Sequence, residues 1–352
     1  MPGLTDAGAA PPAKTELRPR WRLDAGDYVA AAALSRDGAR AAIGTGGAGA
    51  LLVVDAETGR EAFRADAHPG GVLALGWAPD GELVATGGQG ERAKVWHASG
   101  ELWRELPGGG PWVEHVAWAP AGDRLATASG RFVRVWGRGG EPLVEAGPLA
   151  STVTGLAWRG DGAALAASCY GGVHIWSFAQ GAAPRHLPWQ GSLISLAWSP
   201  DGKVIACGSQ DCSVHFWRLA TGRDSEMTGY PFKPRALAWD ARSSLLATAG
   251  DATVTVWDFS GKGPERSRPL QLAAHSGVCT RLAFGPSRAV LASGSQDTSV
   301  LVWEPRRGPK PVRFAFLEDE VTALAWHPAH RGLLGADAAG NAIYWDVALG
   351  GA

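Results

Sequence analysis

Short apolar segments separated by turn signals run through the chain from about residue 20 to its end. The stretch from Leu193 shows the pattern, reading LISLAWSPDG, KVIACGSQD, CSVHFWRLATG and RDSEMTGYPF. Each piece alternates or runs apolar over about four to six residues and then meets Gly, Pro, Asp or Ser, which is typical of β-strands. No helical 3.6-residue periodicity occurs outside this framework. The pattern predicts an all-β chain of short strands.

In each repeat the first strand ends in a large residue followed by a turn. In Ser199-Pro200-Asp201-Gly202 the proline presets φ, the aspartate hydrogen-bonds its own backbone and the glycine supplies a positive φ. Ala or Gly precedes the large residue, so that neighbouring inner strands can approach each other around an axis. The large residues are Leu34, Trp77, Trp118, Trp158, Trp198, Trp239, Phe284 and Trp326.

Tryptophan recurs at even intervals in the third strand of this unit. Its positions are Trp96, Trp136, Trp176, Trp217, Trp257, Trp303 and Trp345, and Val54 takes the place in a degenerate first copy. Successive copies are 42, 40, 40, 41, 40, 46 and 42 residues apart. A period of roughly 40–45 residues is typical of one propeller blade. We therefore predict an all-β fold, a β-propeller of eight four-stranded antiparallel blades.

The ends of the repeat region predict how the ring closes. The last copy lacks an outer strand, and residues 20–24 lie where such a strand would precede the first inner strand. Pairing the two would leave no open edge at the seam. A seven-bladed ring with the first copy displaced is the alternative. The predicted boundaries are a flexible tail at 1–18, one domain at 19–350, repeats near 28–66, 72–107, 113–147, 153–189, 193–228, 234–273, 278–316 and 321–350, and the closing strand 20–24.

These motifs resemble those of the WD-repeat β-propeller family over most of the chain. The seventh copy matches the family's hydrogen-bonded tetrad most completely, with His275, Ser293, Asp297 and Trp303. The resemblance implies that this tetrad ties a loop to its blade. Other copies depart from it: the second has Gly90 in the place of the aspartate, and the fifth and sixth lack the histidine. We expect less firmly held loops in those blades.

Composition narrows the classes of partner. The 33 basic and 34 acidic residues give a net charge of −1, which does not favour nucleic-acid or membrane-surface binding through clustered Lys and Arg. No run approaches the roughly 18 apolar residues of a bilayer span, and the start of the chain has no hydrophobic signal core. The four cysteines are interpreted as reduced thiols. We expect a cytoplasmic protein with protein or peptide partners, no nucleic acid and no membrane.

Candidate binding residues lie in loops. In a propeller, the loops that enter the inner strands and the hairpins between second and third strands share one side, here called the top face. Thirteen of the 17 tryptophans occupy the two repeated positions above, so we assign them to packing and look for anchors elsewhere. Each loop aromatic has the alternative of folding back over its blade. The predicted partner-binding residues are Tyr28, Arg92, Trp112, Arg131, Tyr170, Trp189, Tyr230, Phe232, Lys233, Asp319 and Glu320.

The opposite side, here called the bottom face, carries an insertion. The longest step between copies contains a basic, Pro/Gly-rich segment at 260–269 with Lys262, Arg266 and Arg268. An insertion tolerated in a mobile loop is the ordinary interpretation, and a docking segment is the alternative.

Three motifs that suggest chemistry lack the necessary context. Gly44–Gly49 matches GxGxxG, but an apolar strand follows it where a pyrophosphate site needs a helix. His174 and His215 lie near Cys169 and Cys212, but no C-x-x-C or H-E-x-x-H spacing supports zinc. No nucleophile motif or acid pair is evident. We predict no catalytic residue, no metal and no cofactor.

Our hypothesis is a non-catalytic scaffold that binds a protein or peptide on the top face. One alternative is a small-ligand or zinc site in the channel or near the fourth and fifth blades. Another is a purely structural subunit of a larger complex, held through the bottom face or the tail.

Overall fold

Eight antiparallel sheets surround a common axis in the computed structural model, which describes residues 15–179, 183–261, 263–265 and 267–347. Each sheet is one blade, and the inner strands of successive blades contact one another in order. The first inner strand also contacts the eighth, so the ring is closed. The prediction of an all-β, eight-bladed propeller is confirmed.

The strands of each blade run from the inner to the outer position in chain order. The first strands of the described chain are β1 (Thr15–Glu16) and β2 (Arg18–Asp24). Blade 1 contains β3 (Val29–Leu34), β4 (Arg40–Thr45), β5 (Ala50–Asp55) and β6 (Glu61–Asp66), and blade 2 contains β7 (Val72–Trp77), β8 (Leu83–Gly88), β9 (Arg92–His97) and β10 (Leu102–Pro107). Blade 3 contains β11 (His115–Trp118), β12 (Arg124–Ser129), β13 (Phe132–Gly137) and β14 (Pro142–Ala146), and blade 4 contains β15 (Gly155–Trp158), β16 (Ala164–Ser177) and β17 (Arg185–Ser192). The continuous β16 supplies both middle positions of blade 4.

The second half of the ring follows the same plan. Blade 5 contains β18 (Ala197–Trp198), β19 (Val204–Gly208), β20 (Val214–Arg218) and β21 (Arg223–Met227), and blade 6 contains β22 (Ala236–Trp239), β23 (Leu245–Ala249), β24 (Thr253–Asp258) and β25 (Leu270–Ala273). Blade 7 contains β26 (Cys279–Phe284), β27 (Leu291–Ser295), β28 (Ser299–Trp303) and β29 (Pro311–Phe316). Blade 8 contains β30 (Val321–Trp326), β31 (Gly332–Asp337) and β32 (Asn341–Asp346). A short 3-10 helix, Pro305–Arg307, follows β28.

The N-terminal strands close the ring in two steps. Strand β1 pairs in parallel with β29 at the outer edge of blade 7, and β2 pairs antiparallel with β32 as the outer strand of blade 8. Leu17, between them, is buried in the apolar cluster of blades 7 and 8. The predicted closing strand is present and begins two residues earlier than residue 20. Residues 15–18 were wrongly assigned to a flexible tail, because strand pairing and the burial of Leu17 hold them in place; residues 1–14 lie outside the described residues.

Blade 1 is complete although its third strand lacks tryptophan. Val54 is fully buried and pairs with Ala41. Trp21 of the closing strand joins the same apolar cluster and stacks on Tyr344, with ring centroids 5.7 Å apart. Its Nε1 donates to the carbonyl of Ala56 at 2.9 Å. The seam therefore supplies the indole that blade 1 lacks, and the seven-bladed alternative is wrong.

Among the described residues, an apolar cluster fills the gap between every pair of neighbouring blades. Inner-strand tryptophans also bond across these gaps: Trp158 Nε1 donates to the Ala117 carbonyl at 2.9 Å, and Trp326 Nε1 donates to the Ala283 carbonyl at 2.8 Å. Such a buried hydrogen bond contributes about 1 kcal/mol. The blades thus form a rigid ring on which the loops stand.

The bottom-face insertion is anchored to the neighbouring blade. Glu265 Oε2 lies 2.9 Å from Arg218 Nη2 of blade 5. The carboxylate of Glu265 also accepts a hydrogen bond from the Ser225 hydroxyl at 3.4 Å. At this point the insertion is therefore fixed, where the sequence suggested a mobile loop; Lys262 and Arg266 lie outside the described residues.

Candidate functional site

Blade 7 shows how a top-face loop is tied to its blade. Trp303 Nε1 donates to Ser293 Oγ at 2.8 Å, and Ser293 Oγ lies 2.7 Å from His275 Nε2. On the other side of the His275 imidazole, Nδ1 lies 2.7 Å from Ser299 Oγ, and Ser299 Oγ donates to Asp297 Oδ1 at 2.5 Å. Because the Ser299 hydroxyl donates to Asp297, His275 Nδ1 is the donor to Ser299 Oγ, and in the neutral ring His275 Nε2 accepts from the Ser293 hydroxyl. Ser299, which the motif does not include, thus stands between the histidine and the aspartate.

Asp297 extends this network to the loop backbone. Its Oδ2 accepts hydrogen bonds from the Ser276 and Gly277 amides at 2.6 and 3.3 Å. Burial alone would raise the pKa of Asp297, but the hydrogen bonds from Ser299 and Ser276 outweigh it and hold the pKa far below its usual range. Burial lowers the pKa of His275 and so favours its neutral form. The entering loop of blade 7 is consequently held by a fixed anion.

Blade 6 uses a tyrosine where blade 7 uses histidine. Tyr230, predicted to bind a partner, is only partly exposed and packs on the apolar cluster of blades 5 and 6. Its hydroxyl lies 2.7 Å from Thr248 Oγ1 and accepts a hydrogen bond from Trp257 Nε1 at 2.7 Å. Burial raises the pKa of Tyr230 to about 12, so the phenol stays protonated. The structure places Tyr230 in loop anchoring and not on the free surface.

Blade 5 uses an indole for the same purpose. Strand β17 runs past the predicted repeat end at residue 189, so Trp189 lies in a strand and not at a loop tip. Its ring lies 3.8 Å from that of His215, which meets Trp217 edge-on at 4.4 Å. Trp189 packs on the apolar cluster of blades 4 and 5. This residue too folds inward, because blade 5 lacks the tetrad histidine and leaves room for an indole.

In blade 1 the carboxylate lies in the entering loop and the amides lie in the hairpin, whereas in blade 7 the carboxylate lies in the hairpin and the amides in the entering loop. Asp27 in the entering loop accepts hydrogen bonds from the Gly47 and Ala48 amides of the hairpin at 2.7 and 2.6 Å. These amides belong to the GxGxxG segment, whose anion-binding capacity is therefore used by a carboxylate of the chain itself. The hydrogen bonds from Ala48 and Gly47 lower the pKa of Asp27, although burial opposes them. The strand predicted after this motif is β5, and no helix follows it.

Four predicted aromatics remain exposed on the top face. Tyr28 is 43% exposed, Trp112 51%, Tyr170 54% and Phe232 61%. They stand on the loops or hairpins of blades 1, 3, 4 and 6. Sequence reasoning missed two further apolar residues, Val278 and Phe316, which are 39% and 54% exposed beside the top loops of blades 7 and 8. Val278 lies three residues after the tetrad histidine, so the sequence could have revealed it as an apolar residue of the entering loop.

The predicted charged residues differ in their exposure and in the partners that they already have within the chain. Arg131 is exposed, but its Nε donates to the Leu149 carbonyl at 2.5 Å. Arg92 lies 4.0 Å from Glu105, a pair exposed enough to contribute little. Lys233 is exposed next to Phe232. Asp319 is exposed and Glu320 partly so, with the Glu320 amide donating to Asp319 at 2.7 Å.

Polar side chains of the inner strands bond to the next blade. His115 Nε2 lies 3.2 Å from the Val153 carbonyl, and Arg281 Nε donates to the Thr322 carbonyl at 2.5 Å. Burial lowers the pKa of His115. These groups therefore serve the contact between blades along the channel.

In the described part of the chain, no three His, Cys, Asp or Glu side chains are grouped to hold a metal ion. His174 stacks on His186 at 4.5 Å, and His215 is enclosed by indoles as above. The four cysteines are unpaired, and Cys169, Cys207 and Cys279 are buried. Within the same residues, nothing helical is long and apolar enough to cross a membrane.

Comparison with known proteins agrees with this geometry. The family description "WD domain, G-beta repeat" matches residues 61–97, 100–137, 184–218, 226–258 and 267–304, which together make up just over half of the chain. Transcription initiation factor TFIID subunit 5 of Caenorhabditis elegans is 28% identical over 144 residues, 39% of this chain and 21% of that protein. THO complex subunit 3 of Arabidopsis thaliana is 28% identical over 85 residues, 24% of this chain and 27% of that protein. The match thus spans about a fifth to a quarter of these relatives.

A solved structure resembles the whole ring. The computationally designed Ika8 protein superimposes with a TM-score of 0.78 over 95% of this chain and 100% of its own, at 22% identity. At this identity the likeness concerns the fold alone.

Proposed function

This chain belongs to the WD40 family of WD domain, G-beta repeat proteins, and from that premise we propose that it is a non-catalytic scaffold that binds a protein or peptide on its top face. The family consists in general of non-enzymatic interaction scaffolds. The observation that carries the proposal is that Tyr28, Trp112 and Phe232 on loops, and Tyr170 within β16, stay 43–61% exposed on a closed ring. Aromatics held in this way lose little freedom on binding and serve as interface anchors.

The relatives and the charges support an assembly role. The names of two relatives describe subunits of larger assemblies, the TFIID factor and the THO complex. Arg92 on blade 2, Lys233 before blade 6 and Asp319 before blade 8 would orient a partner by charge before the aromatics engage. The unpaired thiols fit the reducing cytoplasm, which is part of the proposal and is checked by cell fractionation.

A site-specific photo-crosslinker tests the face that is used. A benzophenone side chain in place of Phe232 is compared in the native host with the same group in place of Leu143, which is 49% exposed on the outer strand of blade 3. We expect one partner to be captured from position 232 and not from position 143. The affinity of this partner is then measured with purified proteins.

Truncation of the anchors gives the quantitative test. The variant Trp112→Ala/Tyr170→Ala/Phe232→Ala should bind the captured partner at least about two orders of magnitude more weakly, since each anchor is worth about 1–2 kcal/mol. Leu102→Ala/Leu143→Ala removes exposed apolar side chains from outer strands and should bind normally. A correctly folded triple variant with the affinity of the wild type would rule out this face.

A further inference from the structure

On the bottom face, the turns between the first and second strands differ in sequence from one side of the propeller to the other. In blades 1, 2, 4 and 5 the third residue after the large residue of the inner strand is an aspartate, whereas blades 3, 6, 7 and 8 have another residue at this position of the turn. The aspartates are Asp37, Asp80, Asp161 and Asp201, and the replacements are Ala121, Arg242, Ser287 and Ala329. Three of the four replacements are consecutive, so one side of the bottom face lacks these carboxylates.

On the carboxylate-bearing side, turn aspartates neutralise nearby cations. Arg138 Nη2 lies 2.5 Å from Asp80, Arg159 Nε lies 2.8 Å from Asp161, and Lys203 Nζ lies 3.2 Å from Asp201. Most cations on the bottom of blades 6, 7 and 8 are different, although Arg307 Nε lies 2.8 Å from Glu304 Oε2. Arg242, Arg268, Arg288 and Arg331 are exposed and form no ion pair with any residue that the structure describes.

Contacts between blades bring these cations into one surface. Arg306 Nη2 donates to Ser244 Oγ at 2.7 Å, which joins the loop of blade 7 to the turn that carries Arg242. Ser287 Oγ lies 2.7 Å from His330 Nε2, which joins the turn that carries Arg288 to the turn that carries Arg331. Arg268 and Arg306 line the same cleft. We call Arg242, Arg268, Arg288, Arg306 and Arg331 the basic arc.

The cleft at the outer end of the basic arc is apolar at its base. It has a volume of about 320 Å³ and lies between blades 6 and 7, with Arg268 and Arg306 at its rim. Asp258 also lines it and stays ionised, because the hydrogen bonds from the Ser260 hydroxyl and amide, at 2.5 and 2.8 Å, and the charge of Arg306 lower its pKa although burial opposes them. The apolar lining residues are Leu245, Val256, Leu270 and Pro305.

We propose that the basic arc is a second docking surface, which binds an acidic peptide segment of a partner protein whose apolar side chain enters the cleft of blades 6 and 7. Unpaired arginines repel one another, and carboxylates of a partner relieve this repulsion while forming bidentate hydrogen bonds. The partly exposed Leu270 at the base favours a peptide over a nucleic acid, because phosphates and sugars would leave its side chain without an apolar partner. The surface lies opposite the top face, so one chain can connect two partners.

Synthetic peptides test this with the purified full chain. The probe is a fluorescein-labelled peptide of ten glutamates with one central leucine, and its binding is followed by anisotropy at low salt. The comparison probes are the same peptide with serine for leucine and a single-stranded DNA of ten nucleotides. We expect the leucine peptide to bind most tightly and its affinity to fall steeply with added salt.

Charge reversal locates the site. Arg242→Glu/Arg288→Glu/Arg331→Glu should weaken peptide binding at least about tenfold, because three favourable contacts become repulsive. The matched control Arg60→Glu/Arg159→Glu/Lys203→Glu makes the same change of net charge on the bottom of blades 1, 4 and 5 and should lose less than about twofold. Circular dichroism and thermal unfolding confirm that both variants are folded.

Each other outcome overturns the proposal. An equal loss in the control would mean that net charge, and not the basic arc, attracts the peptide. DNA binding as tight as the leucine peptide would assign the surface to nucleic acid. Equal affinity of the serine peptide would remove the cleft from the site.

Discussion

Individual residues decide how each blade holds its top-face loop, and the chain uses different chemistry for one task. Blade 7 has a neutral histidine between two hydroxyls, blade 6 a phenol, and blade 5 an indole. In blade 1 the carboxylate of Asp27 comes from the loop itself. What is common to them is that a side chain preceding the inner strand bonds to or packs on the blade that follows it.

The role of Tyr230 is open to a direct test. Tyr230→Phe removes the acceptor of Trp257 Nε1 and the partner of Thr248 Oγ1 while keeping the ring. We expect a loss of about 1–3 kcal/mol in the free energy of unfolding, because a buried indole N–H is left unsatisfied. Urea unfolding measures this loss.

Tyr170→Phe is the matched control, since this tyrosine is 54% exposed. It should unfold at the wild-type urea concentration. If Tyr230→Phe keeps full stability but weakens binding of a top-face partner, then Tyr230 is an interface residue after all.

The buried histidine of blade 2 makes stability depend on pH. Burial, and then the charge of Lys94, lowers the pKa of His68 to about 4. The unfolded chain, with an ordinary pKa near 6.5, binds more protons between these values, so stability is full above about pH 6.5 and falls as the pH drops toward 4. We expect a contribution of about 3 kcal/mol over this range, at roughly 1.4 kcal/mol per pH unit.

The variant His68→Gln isolates this contribution, because the amide can still bond to Thr86 but does not titrate. Denaturant titrations at pH 7, 5.5 and 4 should show the variant losing less stability than the wild type. Parallel curves for the two proteins would mean that His68 does not titrate in this range.

At the residue scale the sequence predicted some positions and missed others. The tetrad residues of blade 7 come together because their spacing fixes them on neighbouring strands. Trp189 and Tyr230 were misplaced among the exposed anchors, because the sequence shows a loop aromatic but not the space left by an absent histidine. Trp112, in contrast, has its carbonyl bonded to Ser129 Oγ at 2.6 Å and keeps its ring outside.

Among the elements, the seam differs from the other blade junctions. It depends on Trp21, which stacks on Tyr344 and bonds to Ala56. Trp21→Ala should lower the free energy of unfolding by about 3–5 kcal/mol, as expected for loss of a buried indole. Trp103→Ala, on a partly exposed outer strand of blade 2, should cost clearly less. Equal losses in thermal unfolding would show that the seam has no special weight.

The elements themselves were largely predictable, because turn residues and alternation are local signals. The closing strand could be predicted because the last repeat lacks an outer strand of its own. Strand β1 was not predicted: it has two residues, and its parallel pairing with β29 depends on a neighbour about 300 positions away in the chain.

At the scale of the whole molecule, the closed ring predicts a single unfolding transition. Each apolar cluster is shared by two blades, and the contact of β3 with β30 leaves no terminal repeat from which fraying could start. Tryptophan fluorescence and far-ultraviolet circular dichroism should therefore give coincident urea curves. The Trp21→Ala variant, with its seam weakened, should show curves that separate. Separate curves in the wild type would contradict this.

The number of blades could be predicted from the period, but the surfaces could not. A net charge of −1 conceals a bottom face on which turn aspartates pair with cations on one side, whereas four exposed arginines of blades 6, 7 and 8 form no ion pair with the described residues. Pairing depends on which turns become neighbours around the ring, and the chain alone does not show this.

Closure by β2 also sets the order in which the protein can be completed during synthesis. Arg20 bonds to Asp346, 326 residues later in the chain. At roughly 5–20 residues per second, ribosomes need on the order of 15–65 s to deliver that partner. For most of this interval Leu17 lacks its neighbours in blades 7 and 8 and Trp21 lacks the ring of Tyr344, and the emerging blades form an open arc. The first strand of the ring to be made is thus the last to be joined, and a chaperone that acts on the nascent chain would find its target there.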